Sequence, residues 1–210
     1  MQANGKTEAD IQAEYEERIK EHEEYVKAMK LKRIDDYIEN TVGAHYINNF
    51  DKKKIREKDK LDSKINDMFE TGKGIIIFGD VGVGKTMDLV YTISRIYKEQ
   101  PDYNERDTPE IPISYYFMPA LFNLLHQGGK PAIKKYVILD DWGREYVIDF
   151  SLSQFESFIE EIYGREIRLV ITTNLTKEQF INREGWLRIT DRVREMCSML
   201  EIPGRSMRHR

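Results

Sequence analysis

GIIIFGDVGVGKTMDLV, residues 74–90, is the stretch on which the fold turns. Ile75, Ile76, Ile77 and Phe78 make a short apolar run of β-branched and aromatic residues, the composition of a strand buried on both faces. GDVGVGKT follows in the pattern G-x-x-x-x-G-K-T. Beyond it Leu89, Val90, Ile93, Ile96 and Tyr97 fall at helical spacing. Strand, glycine loop and helix in this order predict a phosphate-binding loop. Glycine at 79, 82 and 84 lets the backbone turn so that N–H groups converge on phosphate oxygens, and the helix start adds a partial positive charge. Gly79, Asp80, Val81, Gly82, Val83, Gly84, Lys85, Thr86 and Met87 are therefore expected to wrap the phosphates of ATP. Lys85 reaches toward the β- and γ-phosphates, and the Thr86 hydroxyl toward Mg²⁺.

Such a loop needs a second strand whose end brings an acid near the magnesium ion. YVILDDWG, residues 136–143, is that strand, and it closes on two adjacent acids. Asp140 is expected to orient Mg²⁺ through its water shell, and Asp141, one residue further out, to polarise the attacking water. Their mutual repulsion is relieved when a divalent ion binds. A third strand, IRLVITTN at 167–174, delivers the amide of Asn174 to the same sheet edge, where it can hold a water or sense the γ-phosphate. Thr176 with Gln179 makes a capping box for the next helix, so Asn174 is not needed as its cap. WLRITDRVREMCSML, residues 186–200, reads as one helix with Trp186, Ile189, Val193, Met196 and Leu200 inward. Arg188 and Arg192 share its solvent side. Spacing alone favours a solvated basic face, paired with Glu195 or Glu184, over an arginine finger.

Outward from these motifs the rhythm persists. ISYYFM (113–118) is strand-like, PALFNLLHQG (119–128) a short helix, and residues 151–163 a helix with Phe155, Phe158, Ile159 and Ile162 on one side. Short apolar strands alternating with helices predict an α/β fold with a parallel sheet covered on both faces. Residues 8–39 read as a long charged helix with a thin stripe at Ile11, Tyr15, Ile19, His22, Val26 and Met29, suited either to packing on its own domain or to a partner. A break over 40–49 and a helix over 51–69 follow, the latter with Ile55, Leu61, Ile65, Met68 and Phe69 inward. This divides the chain into an extension, 1–40, and a nucleotide-binding domain, 41–210.

A net charge of -4 over 210 residues does not mark a general nucleic-acid binder, so DNA contact requires a local patch. HQGGKPAIKKY, with Lys130, Lys134 and Lys135, reads either as a contact for single-stranded DNA or as a solvated loop. Cys197 is the single cysteine, which rules out an intrachain disulfide, and the four histidines have no zinc spacing. No stretch is apolar enough for a signal peptide or a membrane span, so a cytoplasmic protein is expected.

Together HYINNFD, GKGIIIFGDVGVGKT, VILDDWG, LVITTNLTKEQF, RITDRVREM and the terminal GRSMR resemble the AAA+ ATPases, and among them the bacterial and phage helicase loaders of DnaC type and the related IstB-like transposition ATPases. The resemblance implies an AAA+ P-loop core with a five-stranded parallel sheet between helices, here without an evident lid domain. It implies that Asp140 is the Walker B magnesium ligand, Asp141 the catalytic acid, Asn174 sensor 1, and Arg192 the arginine finger, with Arg188 as the alternative. Self-association follows from a finger working in trans. The stretch 45–50 matches where such proteins pack against adenine, and Ser206 and Arg208 match a G-x-S-x-R ending. The implied function is ATP hydrolysis coupled to loading a replicative helicase on single-stranded DNA, or alternatively assembly on duplex DNA with a transposase. Trp142 departs from the family, which usually has a small aliphatic residue there.

Overall fold

The structure, a computed structural model, describes residues 7–48, 50–51, 55–99 and 111–206. Gly74–Phe78 forms β1, and Lys85–Lys98, directly after the glycine loop, forms α4. The other elements are α1 (Glu8–Ile38), α2 (Ala44–Asn48), α3 (Lys58–Thr71), β2 (Ile113–Phe117), α5 (Met118–His126), β3 (Tyr136–Trp142), α6 (Asp149–Gly164), β4 (Arg168–Thr173), α7 (Lys177–Ile181), α8 (Leu187–Met196) and β5 (Cys197–Glu201). The five strands make one parallel sheet in the order β2-β3-β4-β1-β5. This is the α/β architecture that the alternation of elements predicts.

Side chains alternate across a strand, and β1 shows what that does to the core. Ile75 and Ile77 join one cluster, with Leu61, Ile65 and Met68 of α3 and Leu89, Ile93 and Ile96 of α4. Ile76 and Phe78 join the other, with Leu121 and Phe122 of α5, Phe155 and Ile159 of α6, and Ile189 and Val193 of α8. The sheet is therefore sealed on both faces. That explains why its strands read as unbroken apolar runs.

Three elements depart from the sequence reading. Residues 186–200 are not one helix: α8 stops at Met196, and Cys197–Glu201 is strand β5, paired in register with the whole of β1. Met196 and Leu200 fit a helical stripe, but the open edge of β1 offers a row of backbone partners that a further helical turn cannot use. Gly74 makes this approach possible, since a Cβ there would lie 2.0 Å from the Leu169 carbonyl oxygen and 2.8 Å from Cys197 Sγ. Second, the break over 40–49 is bridged: a π-helical turn, Glu39–Gly43, joins α1 to α2. Thr41 donates to the Tyr37 carbonyl at 2.6 Å, and Val42, Tyr46 and Ile47 pack on the core, so tertiary burial outweighs weak local propensity. Third, α3 begins only at Lys58, after a turn in which Glu57 has φ 48°, although Ile55 ahead of it is buried as expected.

The end of α1 is anchored. Ile34 and Ile38 are buried, and the Tyr37 hydroxyl donates to the Ile113 carbonyl at 3.2 Å. Nearer the helix start, Ile11, Tyr15, Ile19 and Met29 are exposed. No helix among the described residues is long and apolar enough to cross a membrane.

Candidate active site

The glycine loop crosses the end of β1 and opens into α4 with Gly82 at φ 84° and Gly84 at φ 112°, a region that costs most residues but not glycine. Among the described residues, no backbone carbonyl accepts from the amides of Gly82, Gly84, Lys85 or Thr86. These N–H groups are what an anion at this helix start would meet. Val83 points the other way and is buried in the core, fixing the loop to the sheet. Residues 202–206 lie over the loop. A Cβ on Gly79 would come within 2.9 Å of the Ile202 carbonyl, and one on Gly82 within 2.2 Å of Ser206 Oγ.

Lys85 is buried and fully occupied. Its ammonium donates to the carbonyls of Gly79 (2.6 Å) and Asp80 (2.9 Å) and to Asn174 Oδ1 (2.5 Å). Burial lowers its pKa, against the pull of Asp141, Asp140, Asp80 and Asp88, which favour the charged form. Asn174 turns its other side to Asp141, with Nδ2 donating to Oδ1 at 2.9 Å. A hydrogen-bonded chain thus links loop lysine, amide and acid, residues brought together only by the pairing of β1 with β4 and β4 with β3.

The two acids owe their placement to a bulge. The β3–β4 register runs through Leu139 with Ile171, then slips by one residue to Trp142 with Thr173. In a regular strand Asp140 and Asp141 would face opposite sides. Here Asp141 takes φ 63° and both carboxylates line the same cleft. The left-handed region is one that aspartate tolerates better than most residues, and bulges often re-aim side chains beside active sites. Asp140 is buried, accepting from the Thr172 hydroxyl on Oδ1 and from the Tyr115 hydroxyl on Oδ2 at 2.8 Å. Burial raises its pKa, and the two hydroxyls oppose that. Thr172 Oγ1 also accepts the Asp141 amide at 3.0 Å, so one threonine holds both acids.

Behind the acids stands an aromatic cage. Trp142 is fully buried, 5.2 Å from the Phe155 ring, 5.3 Å from Phe180 and 5.4 Å from Trp186. It fills this cage where a small aliphatic residue would leave a void. Its neighbour Glu145 is also buried, accepting from the Gly143 amide at 2.7 Å and from Arg183, whose guanidinium lies 3.8 Å above the Trp186 ring.

The cleft encloses about 1220 Å³. Gly82, Gly84, Lys85, Thr86, Met87, Asp140, Asp141 and Asn174 line it, as do Thr41, Val42, His45 and Tyr46. No protein-family model matches the chain, and no curated protein matches it in sequence. Among solved structures it is similar to the crystal structure of the DnaC helicase loader, at 21% identity and a TM-score of 0.53, covering 70% of this chain and 90% of that one. It is similar also to DnaI (19% identity, TM-score 0.56, 70% of this chain and 85% of that) and to AMPPCP-bound DnaA from Aquifex aeolicus (16%, TM-score 0.50, 73% and 51%). The fold is one shared with these replication proteins.

The remaining candidates are scattered. Neither Arg188 nor Arg192 lines the cleft. Arg188 pairs with Glu156 of α6 at 3.3 Å. Arg192 pairs with Glu160 at 3.2 Å and Glu195 at 3.4 Å and lies 4.6 Å from the Tyr163 ring. Lys134 donates to the Ile111 carbonyl at 3.1 Å, and Lys135 lies over the Tyr136 ring. Phe50 packs against the core rather than in the cleft. Ser206 sits at Gly82, while Arg208 and Asn49 fall outside the described residues. Sequence reasoning passed over Tyr115, Thr172, Arg144 and Glu145. The alternation of β2 separates Tyr115 from Tyr116 and was a usable signal, whereas nothing local marks Arg144.

Proposed function

We propose that this chain binds and hydrolyses Mg·ATP, and uses that cycle in replication to load a ring helicase on single-stranded DNA. The observation that carries the reading is the Lys85–Asn174–Asp141 chain sharing one cleft with the glycine loop. Lys85, once its donors leave the Gly79 and Asp80 carbonyls, binds the β- and γ-phosphates with the loop amides, and Thr41, Val42, His45 and Tyr46 offer a mixed apolar and polar wall for the base. Asp141 takes the proton of an attacking water, and Asn174 orients that water. The donor set fits magnesium: the Thr86 hydroxyl and the Asp140 carboxylate are hard oxygens, and among the described residues no cluster of three or more His, Cys, Asp or Glu forms a protein-only cage. Bound there with the triphosphate, the ion supplies charge neutralisation.

The helicase and DNA part rests on the fold shared with the DnaC loader and DnaI, together with an α1 that projects exposed Ile11, Tyr15 and Ile19 among charges as a surface for a protein partner. Arg192 serves as the finger of a neighbouring subunit once its pairs to Glu160 and Glu195 open. These are exposed ion pairs of little net strength.

The test is hydrolysis by the purified chain with magnesium, alongside Lys85→Ala and Asp141→Asn, followed by capture of partners with a non-hydrolysable ATP analogue with and without single-stranded DNA. Loss of binding in the first variant, loss of turnover in the second and recovery of a hexameric helicase support the proposal. Filaments on duplex DNA without a helicase would assign the chain to the transposition ATPases instead.

A further inference from the structure

We infer that Arg144 is a phosphate-binding arginine supplied by the chain's own cleft: it pairs with Asp141, and a bound triphosphate draws its guanidinium onto the γ-phosphate and releases the acid. The inference rests on the ATP-site reading and adds to it a residue and a sequence of events.

Place is the first ground. Arg144 lines the cleft together with Lys85, Thr86 and Asn174, while Arg188 and Arg192 are outside it. Engagement is the second. Arg144 Nη1 lies 2.9 Å from Asp141 Oδ2, and Asn174 donates to Oδ1. Both oxygens of the candidate base therefore face protein donors. Freedom of movement is the third. The Arg144 side chain is 62% exposed, so its pair with Asp141 is solvated and easily exchanged. A γ-phosphate offers the same guanidinium a bidentate, more highly charged partner. The backbone beneath it does not share this freedom. Gly143 turns at φ 104°, its amide is held by buried Glu145, and Arg183 pins that glutamate in turn. The hinge is thus confined to the Arg144 side chain.

The step balances. Water attacks the γ-phosphorus, the bond to the β–γ bridging oxygen breaks with its electron pair leaving on ADP, and the water proton passes to the Asp141 carboxylate that Arg144 has vacated. Arg144 then faces the departing phosphate, and its return to Asp141 resets the site.

The experiment compares wild type with Arg144→Ala and Arg144→Lys in two assays: equilibrium binding of fluorescent ATP and ADP analogues with magnesium, and steady-state hydrolysis. For Arg144→Ala the affinity for the ATP analogue falls on the order of tenfold, the affinity for the ADP analogue stays within about twofold, and kcat falls on the order of tenfold or more. Arg144→Lys, which keeps the charge without the fork, recovers part of the binding and little of kcat. Equal losses for ATP and ADP, or no loss for either, overturn the inference. Faster hydrolysis by Arg144→Ala at unchanged ATP affinity also overturns it, since Arg144 would then only restrain Asp141. Failure of the wild type to bind either nucleotide overturns the ATP-site reading and this inference with it.

Discussion

Replacing Trp142 separates packing from polarity behind the two acids. Its side chain is fully buried among Phe155, Phe180 and Trp186, with centroids 5.2 to 5.4 Å apart. Burial of an aromatic side chain removes roughly 150–250 Å² from water, and each well-oriented ring pair adds about 0.5–1.5 kcal/mol. Truncation to alanine loses both and leaves a void under the bulge, so Trp142→Ala is expected to cost about 3–5 kcal/mol. Trp142→Phe behaves differently. The indole Nε1 is buried with no hydrogen-bond partner, an orphan donor that costs about 1–3 kcal/mol in its present place. Phenylalanine abolishes that cost, keeps most ring contacts and leaves a smaller void worth a similar amount, so the net change should lie within about 1 kcal/mol of zero. The assay is urea unfolding followed by far-UV circular dichroism, read as a change in midpoint at constant slope. Trp142→Phe losing as much as Trp142→Ala would refute the reasoning, because it would mean that Nε1 is satisfied or that the cage cannot relax around a smaller ring.

Three further outcomes follow from the same geometry. Asp141→Asn should keep nucleotide binding and lower kcat by about 10²–10⁴-fold, measured by phosphate release, since the amide cannot accept a proton. Gly82→Ala places a Cβ at φ 84° and 2.2 Å from Ser206 Oγ; a loss of about 1–2 kcal/mol in urea unfolding is expected, with weaker ATP binding that Ser206→Gly partly restores. Cys197 is buried at the β1–β5 pairing, its thiol pushed well above the usual range by burial, so a thiol reagent should label it only on unfolding; fast labelling of the native chain would contradict the placement of β5.

What the sequence alone determined is chemistry between neighbours. The glycines at 82 and 84, the apolar run before them and the helical spacing after them specify a phosphate-type loop, because each depends on a few contiguous residues whose φ, ψ and burial are set locally. The buried strands that lead to Asp140 and Asn174, and the Thr176–Gln179 capping box, were legible for the same reason. Tertiary structure decided the rest. Cys197–Glu201 fits helix or strand until β1 presents its edge. Asp141 turns toward its neighbour's side only through a one-residue slip against β4. Tyr115 meets Asp140, Asn174 bridges Lys85 to Asp141, and Thr41, Val42, His45 and Tyr46 line the same cleft as the glycine loop, across separations that no local pattern encodes. Sheet order and register set these contacts, and both are minimised over the whole chain, so they become visible only when it is folded.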